Sequence, residues 1–267
     1  MDVIALSWWQ LALAAVMVVA LAGCTAAMRL GVGRSLLIAA TRTVVQLALI
    51  GLVLEALFAA ERLLWVALMA LAMLLIAGRE VMARQQRRLR GGWAFGIGTL
   101  AMFLSSFTVT VLTLTVIIGP DPWYRPQYAI PLLGMLLGNT MTGVALALDR
   151  LTESAWRQRG VIENRLMLGQ PWQEAIGDIR REAMRSGLMP TINGMAAAGL
   201  VSLPGMMTGQ ILAGTAPGLA VKYQILIMFA IALGTGFGAL AAVAAGSRRL
   251  FDKRERLRLD RLAAPRK

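Results

Sequence analysis

Arg42 and Gln46 stand four residues apart inside an apolar stretch, so on a helix they share a face and present a guanidinium beside an amide. A charge at membrane depth marks a substrate path or a buried partner by default, and an arginine there repels cations and favours anions. Other polar groups stand in later apolar stretches: Asn139 with Thr140 and Thr142, then Asn193, then Ser202, Thr208 and Gln210 around Pro204 and Gly205. Such side chains can line a path. They can equally bond helix to helix, and the arginine stem can snorkel to the interface; both readings stand on sequence alone. Acid–base or nucleophilic chemistry is not expected, because the chain has no histidine and one cysteine, and no carboxylate is placed inside an apolar span. The 16 methionines, Met189, Met195, Met206, Met207 and Met228 among them, are soft donors but read as packing residues. No metal site is assigned.

A second kind of chemistry, protein docking, suits residues 149–187, which hold six acids and seven arginines between apolar stretches. A short helix over about 160–168 would end at Gly169, where freedom at positive φ suits a helix C-terminus. Pro171 fits the first turn of the next helix, which places Trp172, Ile176, Ile179 and Ala183 on one face and Gln173, Arg180, Arg181 and Arg185 on others. The result is a protruding elbow able to lie on a membrane surface or meet a partner. Glu163, Arg165, Leu168, Gly169 and Trp172 are its candidate contact residues, with Glu163 serving as counter-ion among Arg157, Arg159 and Arg165.

The elements that must position these groups are membrane helices. The 267 residues are 58% hydrophobic with mean hydropathy +0.66, more than a water-soluble core absorbs. Seven spans are expected, at 8–28, 35–54, 63–82, 93–118, 127–148, 188–214 and 223–246, each near the roughly 20 residues that cross a hydrocarbon core. Trp8, Trp9, Trp65, Trp93, Trp123, Tyr124 and Tyr223 fall near their ends, as interfacial rings should. The expected fold is an all-α helical bundle forming a single membrane domain over 1–267, with the loop 149–187 and a basic tail 247–267 on one side.

The net charge of +13 reflects topology rather than nucleic-acid binding. Lys and Arg number two after the first span, five from Arg79 at the end of the third to Arg90, seven in the long loop and nine in the tail, against Arg62, Arg125 and Lys222 on the other side. The positive-inside rule then puts the N-terminus outside and the C-terminus in the cytoplasm. The tail reads as a solvated or lipid-contacting basic face. Cys24 follows Leu21, Ala22 and Gly23 as in a lipoprotein site, but no basic residue precedes Arg29 and Asp2 is acidic, so the first span reads as a retained helix.

Between Arg185 and Lys222 lie 36 uncharged residues, long for one helix and short for two. Pro204 lacks an amide hydrogen and crowds the Leu200 carbonyl, so a break is expected at residues 202–205. At membrane depth it would face protein or a water-filled cavity.

The strings RTVVQLALIGLVLE (42–55), IPLLGMLLGNTMTGVALALDR (130–150), IENRLMLG (162–169), REAMRSGLMPTING (181–194) and LVSLPGMMTGQILAG (200–214) resemble the FetB family of ABC-transporter permeases over about 42–246. The resemblance implies a bacterial inner-membrane, multi-pass transport subunit, associated with iron export in bacteria and aluminium tolerance in plants. It also implies a homodimer in the bilayer, with ATP and Mg held by a separate cytoplasmic ABC ATPase. This chain itself lacks the glycine-rich phosphate loop. The loop resembles the importer-permease pattern at Glu163, Gly169 and Ile179, while Asn164 and Arg165 replace its alanines and Arg181 and Glu182 its final Leu-Pro. Alternative cargoes are an anionic organic molecule, such as a nucleotide sugar, or a metal chelate. An ion-driven secondary transporter is disfavoured for want of a carboxylate inside the spans.

Overall fold

A computed structural model describes residues 7–264. Asp2 and the last three positions of the basic tail, 265–267, lie outside the described residues. Six helices are long and apolar enough to cross a membrane: α1 Trp8–Ala27, α2 Gly33–Ala60, α3 Leu63–Arg84, α4 Trp93–Ile118, α5 Pro126–Arg157 and, near the C-terminus, α10 Pro217–Arg249. Between α5 and α10 come α6 Arg159–Met167, α7 Trp172–Ala175, α8 Gly177–Ala197 and α9 Gly205–Leu212. Isolated bridges are the only β pairings among the described residues. The expected all-α bundle is what forms.

The bundle is built around α5. It packs along α3, α8 and α10, and α4 closes the ring against α3 and α10. Leu136, Val144, Ala147, Leu151 and Ala155 of α5 are fully enclosed. In contrast, α1 and α2 pack mainly on each other and bury only Ala22 and Leu57. Val16, Leu47 and Leu52 on these helices lie open, which water would penalise by about 25 cal/mol per Å² of apolar surface and hydrocarbon would not.

The sixth expected span, 188–214, takes a different form. Helix α8 begins within the charged loop, carries Asp178, Arg180, Arg181, Glu182 and Arg185 in its first turns, and runs on to Ala197. Its 21 residues reach roughly 31 Å at 1.5 Å each, but those charges keep it out of the six apolar helices. It can pack so closely because α5 and α8 cross at glycines. A Cβ on Gly187 would stand 2.7 Å from the Gly143 carbonyl oxygen, and one on Gly143 2.8 Å from that of Gly187, so any side chain forces the backbones apart.

The loop 149–187 is therefore mostly helix, its two ends being extensions of α5 and α8. The single helix expected after Pro171 is split at Ile176 into α7 and α8, yet Trp172, Ile176, Ile179 and Ala183 still form one apolar face in a common cluster. That face is buried in the bundle, with Ile176 and Ala183 fully enclosed, rather than laid on a membrane surface, because α8 packs against α5 and α10.

The break lies earlier than Pro204 suggests. Helix α8 stops at Ala197, the chain turns through Gly199 at φ +82°, and Pro204 is the N-cap of α9. The Ser202 amide donates to the Ala197 carbonyl at 3.1 Å and the Gly199 amide to the Ser202 carbonyl at 2.9 Å. Proline thus starts a helix here, where its missing N–H is no loss, while Pro190 and Pro131 sit inside α8 and α5.

Candidate functional site

Three groups of polar residues emerge, and the structure keeps them apart. The first is a belt on α2, α3 and α5. Arg42 lies on α2 with its side chain 58% exposed, 3.4 Å from the Glu80 carboxylate of α3. One turn beyond Glu80, Arg84 donates to Thr142 Oγ1 at 3.3 Å. Thr142 donates to the Gly138 carbonyl at 3.1 Å, and the Asn139 amide bonds the Met135 carbonyl at 2.8 Å. Asn139 and Gln46 stay exposed, so these side chains look away from the core. Glu80 corrects the expectation of carboxylate-free spans, as does Glu55 inside α2. Glu80 already lies within the expected 63–82 span, whereas Glu55 is taken in because α2 runs past residue 54 to Ala60; the Arg42 guanidinium supplies Glu80 with a counter-ion.

The second group belongs to α9 at the opposite end of the bundle. Thr208 Oγ1 lies 3.3 Å from the Pro204 carbonyl, so its hydroxyl is engaged locally. Gln210 lines a cavity of about 360 Å³ with Gln127, Tyr128, Met206, Thr215 and Tyr223. The Oε1 atoms of Gln127 and Gln210 are buried there with no protein donor. Ser202 is exposed in the turn, Gly205 is an ordinary helical residue in the first turn of α9, and Asn193 is exposed on α8. None of these is bonded to the belt.

The third group is the elbow. Helix α6 ends as the sequence predicts: Gly169 has φ +86°, and the Gly169 and Gln170 amides bond the Leu166 and Arg165 carbonyls, a Schellman-type stop. Met167 and Leu168 project at the tip, 77% and 84% exposed. Arg165 braces the elbow from within, reaching Asp178 Oδ2 at 2.9 Å and the Ala175 carbonyl at 3.2 Å. The Arg165 hydrogen bond, with Arg181 second, holds the Asp178 carboxyl below the usual range. Glu163 is not the counter-ion expected: Arg165 turns to Asp178 and Arg157 to Glu153. Glu163 instead lines a cavity of about 670 Å³ with Arg87, Arg90, Trp156 and Arg159.

The tail also departs from expectation. It is folded onto the elbow rather than spread on solvent or lipid: Glu255 accepts from the Trp172 amide at 3.1 Å, and the Phe251 and Trp172 rings lie 5.3 Å apart. Sequence reasoning missed Phe251, Glu255, Glu80, Arg84 and Gln127. The signal available for the first two was an apolar pair, Leu250 and Phe251, directly before the charged tail, and for Glu80 its place within the third apolar run. Among the described residues no group of three or more His, Cys, Asp or Glu could hold a metal ion.

No solved structure matches the chain. A family model described as "Uncharacterised protein family (UPF0014)" matches residues 8–251. The UPF0014 membrane protein slr1647 of Synechocystis is 41% identical, covering 83% of this chain and 85% of that one. The Arabidopsis thaliana "Protein ALUMINUM SENSITIVE 3" is 34% identical over 70% and 67%. The Escherichia coli "Probable iron export permease protein FetB" is 30% identical over 86% of each chain. A match spanning nearly all the described helices, with relatives at 30% identity or more along most of both lengths, makes this chain a member of the UPF0014 family of membrane proteins.

Proposed function

We propose that the chain is the membrane permease of an ATP-driven transporter, acting as a pair of copies with a separate cytoplasmic ABC ATPase that holds ATP and Mg. The observation that carries this is the belt of Arg42, Glu80, Arg84 and Asn139 on the outward side of α2, α3 and α5. Charged groups facing lipid are costly, and intramembrane charges turn to a bundle interior or a water-filled path. A second copy against this face would enclose such a path. The elbow supports the ATPase half of the reading, because its apolar tip at Met167 and Leu168 projects from the end that holds most of the basic residues. By the positive-inside rule that end is cytoplasmic and the N-terminus is outside.

Export of iron or a metal-related substrate across a bacterial inner membrane is the cargo reading, supported by the name of the Escherichia coli relative. Arg42 and Arg84 favour an anionic form of it, such as a chelate, over a bare cation. The chain works as a transport subunit rather than an enzyme.

Co-expression with a candidate ABC ATPase tests the proposal. The two should purify together, hydrolyse ATP in proteoliposomes and move cargo. Leu168→Asp, a charge at the tip, should lower coupled hydrolysis about tenfold or more, as loss of a central contact does. Transport by the purified chain without any ATPase would refute the reading.

A further inference from the structure

Residues 250–264 follow the last membrane helix and carry no span, yet they are built into the core. We infer that this segment is a clamp that fixes the elbow against the end of α10, with Phe251 and Glu255 as positioning residues for coupling. The inference rests on the ATP-driven reading above. Leu250, Phe251 and Leu262 are buried in one cluster with Leu89, Ala155, Ile162, Ala175 and Ile176, so the clamp shares a core with both arms of the elbow.

Its backbone is bonded on several sides. Leu89 and Leu262 form an antiparallel bridge, flanked by Arg90 N to Arg261 O at 2.7 Å and Ala263 N to Arg88 O at 2.8 Å. These join the clamp to the connection between α3 and α4. The Arg261 guanidinium donates to the Arg249 and Phe251 carbonyls at 2.8 and 3.1 Å, satisfying acceptors that a helix end leaves open. Asp252 closes the intervening hairpin by accepting from the Arg254 and Arg256 amides at 2.9 and 3.0 Å. Glu255 and Phe251 then grip Trp172 by its amide and its ring.

The mechanical consequence follows from these contacts. Trp172 opens the second arm of the elbow, so a force applied at Leu168 meets a residue held by the clamp, and the clamp is continuous with α10. That helix runs the length of the bundle and lines the cavity beside α9 through Leu219, Tyr223 and Ile227. The chain offers a second route directly from α7 into α8, and the clamp makes the two routes move together. Without it the elbow could swing on Gly169 while α10 stayed still.

The test uses the full chain with its co-expressed ATPase in proteoliposomes, comparing Glu255→Ala, Glu255→Gln and Phe251→Ala. Because Phe251→Ala also opens a gap in the core, the exposed Glu255 carries the decision. Losing a charge-assisted hydrogen bond should speed exchange of the Trp172 amide about tenfold. Glu255→Ala should retain the ATPase in the wild-type ratio but lose about tenfold in coupled hydrolysis. Glu255→Gln keeps an acceptor oxygen and should recover most of both. Wild-type coupling in Glu255→Ala and Phe251→Ala, with the ATPase bound, overturns the clamp alone. A wild-type chain that never retains an ATPase overturns the permease reading, and the clamp's role falls with it.

Discussion

Asp252 shows what one residue does for the clamp and what pH will do to it. Its carboxylate accepts two amides and the Arg256 guanidinium; the Arg256 amide chiefly lowers its pKa from 3.8 to about 2. A depressed carboxyl stabilises the folded hairpin above its unfolded pKa and loses that contribution as pH falls through the folded value. Protection of the Arg254 and Arg256 amides, corrected for intrinsic exchange, should therefore stay level from about pH 8 to 5 and fall between 3.8 and about 2. A loss already complete at about pH 5 would show that another group orders the hairpin. Residue by residue, the sequence was legible where the cause is local. Gly169 ends α6 because only a short-range backbone angle is needed, and Arg42 stood out by its charge. Glu163 was misread as a counter-ion because Arg157 and Arg165, close to it in sequence, turn to Glu153 and Asp178 in space. Glu80 was visible within its own span, but its pairing with Arg42, 38 positions away, emerges only once α2 and α3 are side by side.

At the scale of elements, hydropathy fixed where helices run, and close packing decided how they end and cross. The span at 93–118 was recovered whole, whereas α5 and α8 ran beyond their apolar stretches into the charged loop, since turns packed on the bundle need not be apolar throughout. The break at 198–203 was misplaced because proline was weighed as a helix breaker when its fixed φ also suits a helix start; positive φ at Gly199, rather than Pro204, marks the turn. The crossing of α5 and α8 yields a prediction from the same packing logic. In Gly187→Ala the new Cβ meets the Gly143 carbonyl oxygen at 2.7 Å and the Ala147 Cβ at 2.9 Å. Backbone cannot yield as a flexible side chain would, so the variant should lose roughly 1–3 kcal/mol, or about 2–4 °C of melting temperature per kcal/mol. Gly51→Ala is the control, since a Cβ there meets nothing within 4 Å. Equal melting of both variants in detergent would show that the crossing has room to open.

On the whole molecule, surfaces suited to lipid and surfaces suited to water are both exposed in one copy. Leu13 of α1 is 57% exposed and apolar; Gln46 and Asn139 are exposed beside Arg42 and Thr142. Hydropathy made the first kind of surface legible at once. The belt was legible only as scattered residues, because its members come from α2, α3 and α5 and their common direction is a property of the assembled bundle. Lipid accepts Leu13 at no cost, but an arginine or a carboxylate facing hydrocarbon costs about 2.5–3.5 kcal/mol even on the lowest scales. The belt should therefore face a water-filled path closed by a second copy. In a Cys24→Ser background, single cysteines at Gln46 and Asn139 should react with a small membrane-impermeant thiol reagent added from the basic side, while one at Leu13 should not. A bifunctional reagent should also join two copies through Asn139. ATP turnover should change the rate at Gln46 and Asn139 but not at Leu13. If both belt positions prove as inert as Leu13 in a transporting complex, the belt is lined by protein or lipid, and the path must run elsewhere, with the cavity beside α9 the next place to probe.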